Sequence, residues 1–227
     1  MKDQKIKVSK NGPYLVTGDV PLKKEVIGYD EDGEPLKWNK DGEIKTPKEY
    51  SLCRCGKSKN KPFCDGSHID CKFNGKETAD MRPYEEVAGT LEGPDLILRD
   101  NYELCALLRF CHREGGVWNL VERSDDPEAR KTAIEQCQNC VSGRLTAYDK
   151  KTGKAIEKKY TPSISVTQDP AKEVSGPLAI KGGIQIESAD GESYECKNRC
   201  TLCRCGKSTN KPFCTGAHIS EGFNDKE

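Results

Sequence analysis

"CRCGKSKNKPFCDGSH", residues 53–68, gathers three cysteines and one of the chain's three histidines into a single short stretch. Nearly the same string, "CRCGKSTNKPFCTGAH", returns at residues 203–218. The shared spacing is C-x-C-x8-C-x3-H: Cys53, Cys55, Cys64 and His68, then Cys203, Cys205, Cys214 and His218. Two cysteines one residue apart can both reach a single iron. The third cysteine and the histidine, four apart, can share one face at the start of a short helix and hold a second iron. Three thiolates and one imidazole on two irons describe a [2Fe-2S] cluster intermediate between all-cysteine ferredoxins and Rieske centres. A structural zinc site also takes three cysteines and one histidine, although zinc knuckles space their cysteines as CxxC rather than C-x-C.

The remaining residues of the stretch have supporting roles. Gly56, Pro62 and Phe63 shape a tight loop whose backbone N–H groups can donate to sulfur. Ser58 and Ser208 are placed to hydrogen-bond within their loops. Asp65 is expected to N-cap the short helix, and Gly66 allows close backbone approach. In the second copy Thr215 replaces Asp65 and Ala217 replaces Ser67. Thr215 is still expected to cap, but a negative charge is lost, so the two sites are expected to differ in potential.

With these residues in view, "CRCGKSKNKPFCDGSH" resembles the signature of the CDGSH iron–sulfur domain, the NEET-type family. The match runs through Cys53, Cys55, Ser58, Pro62 and the run Cys64 to His68. The resemblance implies a 3Cys:1His [2Fe-2S] cluster with a solvent-accessible histidine, and electron transfer or cluster transfer as the activity. It also implies pairing of such domains, here as two modules within one chain.

Composition sets limits on the rest. In 227 residues, Lys+Arg and Asp+Glu are equal at 37 each, which argues against a nucleic-acid-seeking or membrane-seeking surface. Only 34% of residues are hydrophobic and 33% are charged, so small cores need a staple, and thirteen cysteines can supply one. The odd count rules out complete disulfide pairing. The first residues lack the apolar region of a secretory signal, and no apolar run approaches the length of a membrane span. A reducing cytoplasm is the expected compartment, where clustered cysteines bind metal more often than they pair.

The repeat extends upstream. Residues 6–22 and 164–186 each read as short alternating strands punctuated by Gly-Pro turns. The expected class is α+β, mostly small antiparallel β modules with short cluster-binding loops and helices. Three segments follow: residues 1–81 and 161–227 as CDGSH-like modules, with a ferredoxin-like segment at 82–160 between them. "SDDPEARKTAIEQC" reads as a helix capped by Asp126, with Pro127 at its first position. Residues 30–50 are polar and turn-rich and read as a surface insertion or mobile loop.

The middle segment carries its own cysteines. Cys105 and Cys111 stand in "CALLRFC", and Cys137 and Cys140 in "CQNCVSGRL". A ferredoxin run C-x2-C-x2-C gives three cubane ligands, with a fourth from a distant Cys-Pro. Here Leu108 occupies the middle position and Val141 replaces the proline. The pattern resembles ferredoxins with a [3Fe-4S] cluster, held by Cys105, Cys111 and Cys140, with Leu108 facing the vacant corner. Cys137 as a fourth ligand would allow [4Fe-4S]; its alternative is a buried core thiol. His112 is expected to pack or hydrogen-bond rather than ligate. Cys71, Cys196 and Cys200 receive no role.

No Walker A loop, dinucleotide fingerprint or nucleophile elbow is present, so the chain reads as an electron carrier or cluster-binding protein rather than an enzyme. The expected activity is proton-coupled electron transfer, with redox proteins as partners. Transfer of clusters to apo iron–sulfur acceptors, cluster storage or redox sensing is the alternative, and neither nucleic acid nor membrane is an expected partner.

Overall fold

The computed structural model describes residues 4–225. The strands in chain order are β1 (Lys5–Val8), β2 (Tyr14–Thr17), β3 (Leu22–Tyr29), β4 (Pro35–Ile44) and β5 (Tyr50–Leu52). The first loop and helix α1 (Ser67–Asp70) follow. The middle segment contains α2 (Tyr84–Val87), β6 (Gly89–Glu92), β7 (Leu96–Asp100), α3 (Val117–Glu122), α4 (Pro127–Asn139) and β8 (Leu145–Asp149). The chain ends with β9 (Ser163–Asp169), β10 (Val174–Lys181), β11 (Gln185–Glu187), β12 (Arg199–Leu202) and α5 (Ala217–Ser220). The fold is α+β, dominated by small sheets.

Alternation decides the first strands. Ile6, Val8, Tyr14 and Val16 are buried, while Lys7 and Leu15 between them face out. β1 and β2 form an antiparallel pair, as do β9 and β10 in the second copy. Each copy then lends its third strand to the other: β11 adds in parallel to β1, and β3 adds in parallel to β9. The two sheets, β11-β1-β2-β5 and β12-β10-β9-β3-β4, are therefore related by an approximate twofold exchange. One apolar core draws Ile6, Val8 and Val16 from the first copy and Ile164, Val166, Leu178 and Leu202 from the second. Both sheets thus cross the sequence boundaries at residues 81 and 160.

Residues 30–50 are not a loop. They complete a β-hairpin in which β4 pairs antiparallel with β3 along the edge of the larger sheet. Trp38 turns inward against Phe110, with ring centroids 5.0 Å apart, while Lys37, Asn39 and Lys40 face solvent. The segment is polar because it is an edge strand, where lysines discourage further pairing.

In the middle segment, β6-β7-β8 form an antiparallel sheet, and a second core joins Leu96, Leu98 and Leu145 to Val117, Leu120 and Val121 of α3 and to Ala129 and Ala133 of α4. Asp126 caps α4 by accepting from the Glu128 N–H, with Pro127 in the first turn. The segment is fastened to the second copy by Arg199 of β12, whose buried guanidinium donates to the carbonyls of Cys140 and Leu145 and pairs with Glu157.

Candidate metal centres

Each repeated loop closes on itself through the same bonds. The Cys53 N–H donates to the Pro62 carbonyl and the Cys64 N–H to Ser51; the equivalents are Cys203 to Pro212 and Cys214 to Thr201. Ser58 and Ser208 donate to the Phe63 and Phe213 carbonyls at 2.6 Å, inside the loop. The helix caps differ from expectation. Gly66 and Gly216 occupy the N-cap positions in left-handed conformations and no side chain caps either helix. Asp65 instead accepts from the N–H groups of Lys59 and Ser67, which hold its carboxyl below the usual range, and Thr215 contacts Ser208 at 3.4 Å.

The donor atoms converge in pairs. Cys53 and Cys55 sulfurs are 3.7 Å apart, as are those of Cys203 and Cys205. Cys64 Sγ lies 3.4 Å from His68 Nδ1, and Cys214 Sγ lies 3.5 Å from His218 Nδ1. Metal–ligand bonds of about 2.0–2.3 Å at a tetrahedral metal place neighbouring ligands about 3.5–3.8 Å apart, so each pair fits one tetrahedral metal. The environment favours thiolate at one cysteine of each C-x-C, while the shared proton raises Cys55 and Cys205 and burial raises Cys64 and Cys214. A proton shared with Cys55 draws Cys53 below the ordinary thiol range, assisted by the Ser58 and Gly56 N–H groups, and Cys203 repeats the arrangement.

The two loops meet back to back. A β-carbon on Gly56 would lie 2.6 Å from the Cys205 carbonyl oxygen, and one on Gly206 would lie 2.6 Å from that of Cys55. Both glycines have positive φ, 73° and 81°, so the contact needs glycine twice over. Tyr14 of the first copy reaches across to donate to the Cys203 and Pro212 carbonyls.

The two histidines occupy different surroundings. His68 is half-buried, beside an Ile69 that is 71% exposed. His218 is 1% exposed and its Nε2 is enclosed. Burial lowers its pKa to about 4, with Arg204 adding and Asp169 opposing. The solvent-accessible histidine implied by the family resemblance is absent from the second site. The loop 105–111 of the middle segment lies against that site. Leu107 sits over Gly216, where a β-carbon would approach its Cγ to 2.4 Å, and Cys214 packs with Ala106, Leu108 and Phe110. Arg109 fixes the loop by donating to buried Asp169 at 2.7 Å and to the Tyr29 hydroxyl at 2.9 Å. Leu107 and Arg109 both hold positive φ, 53° and 63°, a strained pair of the kind that marks functional loops.

Cys105, Cys111 and Cys140 line one small pocket with Leu108 and Arg144. Cys137 does not line it. It is 1% exposed within the apolar core of the middle segment, and burial raises its thiol pKa strongly. His112 is exposed on the surface rather than packed. Burial raises the Cys111 pKa to about 12, Cys140 adds to this, and Arg144 opposes. This site adjoins the second repeated loop. Burial raises the Cys214 pKa most, Cys203 next, and Cys105 also contributes.

Three arginines were missed in reading the sequence. Arg54 and Arg204 fill the middle of each C-x-C, both nearly fully buried. Arg54 donates to the Ser9, Gly12 and Gly75 carbonyls; Arg204 donates to Gly176 and Thr167 and pairs with Asp225. Their recurrence at one place in both copies was the signal. Arg144 lies four residues after Cys140, directs Nη1 at Cys105 Sγ, and had no signal beyond that proximity.

The model of the family described as iron-binding zinc finger, CDGSH type, matches residues 11–69 and 175–219. The divergent 4Fe-4S mono-cluster model matches residues 91–150. The mouse (Mus musculus) CDGSH iron-sulfur domain-containing protein 3, mitochondrial, is 46% identical over 43 residues, covering 16% of this chain and 31% of that relative. The chain thus spans about a third of the length of the curated relative it matches. No solved structure matches the chain. Fold, donor set and matches together define an iron–sulfur protein. More particularly, both ends of the chain are CDGSH-type segments, and they flank a segment of divergent 4Fe-4S type. No helix among the described residues is long and apolar enough to cross a membrane.

Proposed function

We propose that the protein is a one-electron carrier with two [2Fe-2S] clusters and a third, [3Fe-4S], centre. Cys53, Cys55, Cys64 and His68 would hold the first, and Cys203, Cys205, Cys214 and His218 the second. Cys105, Cys111 and Cys140 would hold the third; a [4Fe-4S] centre would need a fourth ligand, and Cys137 is turned into the core. When bound, such clusters supply one-electron redox chemistry. Contiguity carries the reading: the middle pocket borders the second loop through Leu107 and Gly216, and the second loop borders the first through Gly206 and Cys55. The same contacts support pairing of the two CDGSH-type modules within the chain.

The chain's residues divide the work. Backbone N–H groups and the buried Arg54 and Arg204 hold the loops in place. His68, directing Nδ1 to the first site, keeps its ring partly open to water and can pass a proton there. His218 is cut off from water. Proton-coupled transfer therefore belongs to the first site. The thirteen free thiols fit a reducing compartment, with the cytoplasm as the simplest one. Iron and sulfide analysis with EPR on anaerobically purified protein tests the cluster count. A redox titration across pH tests the coupling: the first site's midpoint should fall as pH rises, and a flat midpoint would sink the idea.

Cluster donation is the second reading, favoured by the half-exposed His68 and exposed Ile69 and Cys71. Mixing loaded protein with an apo-ferredoxin separates the two: cluster transfer within minutes supports donation, whereas rapid electron exchange without transfer supports the carrier.

A further inference from the structure

We infer that the groove between the two C-x-C loops is a docking face for a small acidic electron-transfer protein; this rests on the carrier reading and names its partner class. The groove has a volume of about 600 Å³, with Cys55 and Gly206 on its wall. Five lysines line it: Lys57, Lys72, Lys76, Lys207 and Lys211. In a chain of zero net charge this is a local concentration of one sign. Lys57 and Lys207 are equivalent in the repeat, each following a C-x-C cysteine by two residues, so both C-x-C turns border the same positive face.

The countercharge is sparse. Lys207 lies 3.6 Å from Glu221, and Lys211 donates to the Ser208 carbonyl. Lys57, Lys72 and Lys76 are exposed and make no ion pair among the described residues. Glu221 stands where the first copy has Cys71, so the first copy's side of the groove is the more positive.

The chemistry selects among anions. All five cations are lysines, without the forked arginines that read phosphates and bases. The groove's aromatic ring, Phe73, is half-buried and covered by the Arg54 guanidinium, so it is no stacking platform for a nucleic acid. Exposed lysine heads around an open groove suit a flat, carboxylate-rich protein surface better than an enclosed small ligand. Single exposed pairs are weak, but a cluster of one sign steers encounter and speeds association by about tenfold or more. A partner seated here would stand beside Cys55 and the Cys205–Gly206 turn together.

The test uses the loaded full-length protein and an acidic plant-type [2Fe-2S] ferredoxin as probe, with electron exchange followed by stopped flow. The second-order rate should fall about tenfold or more between low and physiological salt. The double variant Lys72→Glu, Lys76→Glu should slow exchange about tenfold at low salt, with visible spectrum and midpoint potentials unchanged. A salt-independent rate, an unaffected double variant, or tighter binding of a short DNA duplex than of the ferredoxin would each overturn the docking face. Reversible reduction by small-molecule mediators is read separately. If it succeeds while the lysines prove indifferent, the carrier stands and the docking face falls; if it fails, both fall.

Discussion

Arg144 places Nη1 3.2 Å from Cys105 Sγ while its Nε and Nη2 hold Asp100 at 2.7 and 2.9 Å. The guanidinium also stacks on Tyr102 and Trp118. It is a positive charge within hydrogen-bond reach of a middle-site thiol, and Asp100 keeps it aimed. Replacing it by glutamine leaves Asp100 uncompensated beside them and removes the donor to sulfur. Arg144→Gln should lower the middle centre's midpoint potential by about 60 mV, the one-electron equivalent of about 1.4 kcal/mol. Arg144→Lys should recover part of the loss. EPR-monitored potentiometry reads both, and an unmoved potential would reduce Arg144 to a structural brace.

The unequal burial of the two histidines should appear as unequal cluster retention. Under mild acid and an iron chelator, the first site should empty about tenfold faster than the second. Leu107→Gly keeps the left-handed backbone at residue 107 and removes the side chain over Gly216. It should speed loss from the second site without altering the first. Visible absorbance decay, compared with a Cys53→Ala, Cys55→Ala background, resolves the two; equal rates in all forms would refute the sealing role of the loop.

Cys137 supplies a test of nuclearity. Cys137→Ala removes one sulfur from a well-packed core, so the expected cost is about 1 kcal/mol or more of stability. Iron per chain should not change. Cys105→Ala, Cys111→Ala or Cys140→Ala should each abolish the middle centre's EPR signal. Loss of that signal in Cys137→Ala, with the fold retained, would make Cys137 a ligand.

Lys197 titrates where most lysines do not. Its ammonium lies over the Tyr84 ring, 3.3 Å from the centroid, and burial lowers its pKa to about 8 against the pull of Glu195. An unfolded lysine titrates near 10.4, so between about pH 8 and 10.4 the unfolded chain binds the additional proton. Stability from this group therefore rises with pH across that window. Urea midpoints of wild type and Lys197→Met at pH 7.5 and 9.5 check the sign: wild type should gain on the variant at the higher pH.

Much of the donor arrangement was legible because it is local. C-x-C-x8-C-x3-H brings its donors together within one loop, and a repeat announces itself without any knowledge of the fold. Cys105, Cys111 and Cys140 were legible as a group through the ferredoxin spacing, and one pocket collects them. The exchange of β3 and β11 was not legible, since alternation assigns a strand and not its neighbour. Residues 30–50 misled because an edge strand carries the composition of a loop. The sealing of His218 was hidden for a related reason: Leu107 and Arg109 are over a hundred residues distant in sequence, and their contact exists only after the segments fold together. Asp65 misled by proximity, since its carboxylate serves the loop rather than the helix end.

The approach of Gly56 to Cys205 and of Gly206 to Cys55 sets how near the two proposed redox sites can come. Tunnelling weakens steeply with distance, so the spacing of the pair is governed by two absent methyl groups. An alanine at either position would alter no charge, yet its methyl group would press on the backbone of the facing Cys205 or Cys55, wedge the loops apart and lengthen the gap between the two proposed sites. If the two sites exchange electrons as proposed, conductance between them is a matter of steric tolerance, and the component that regulates it is empty space.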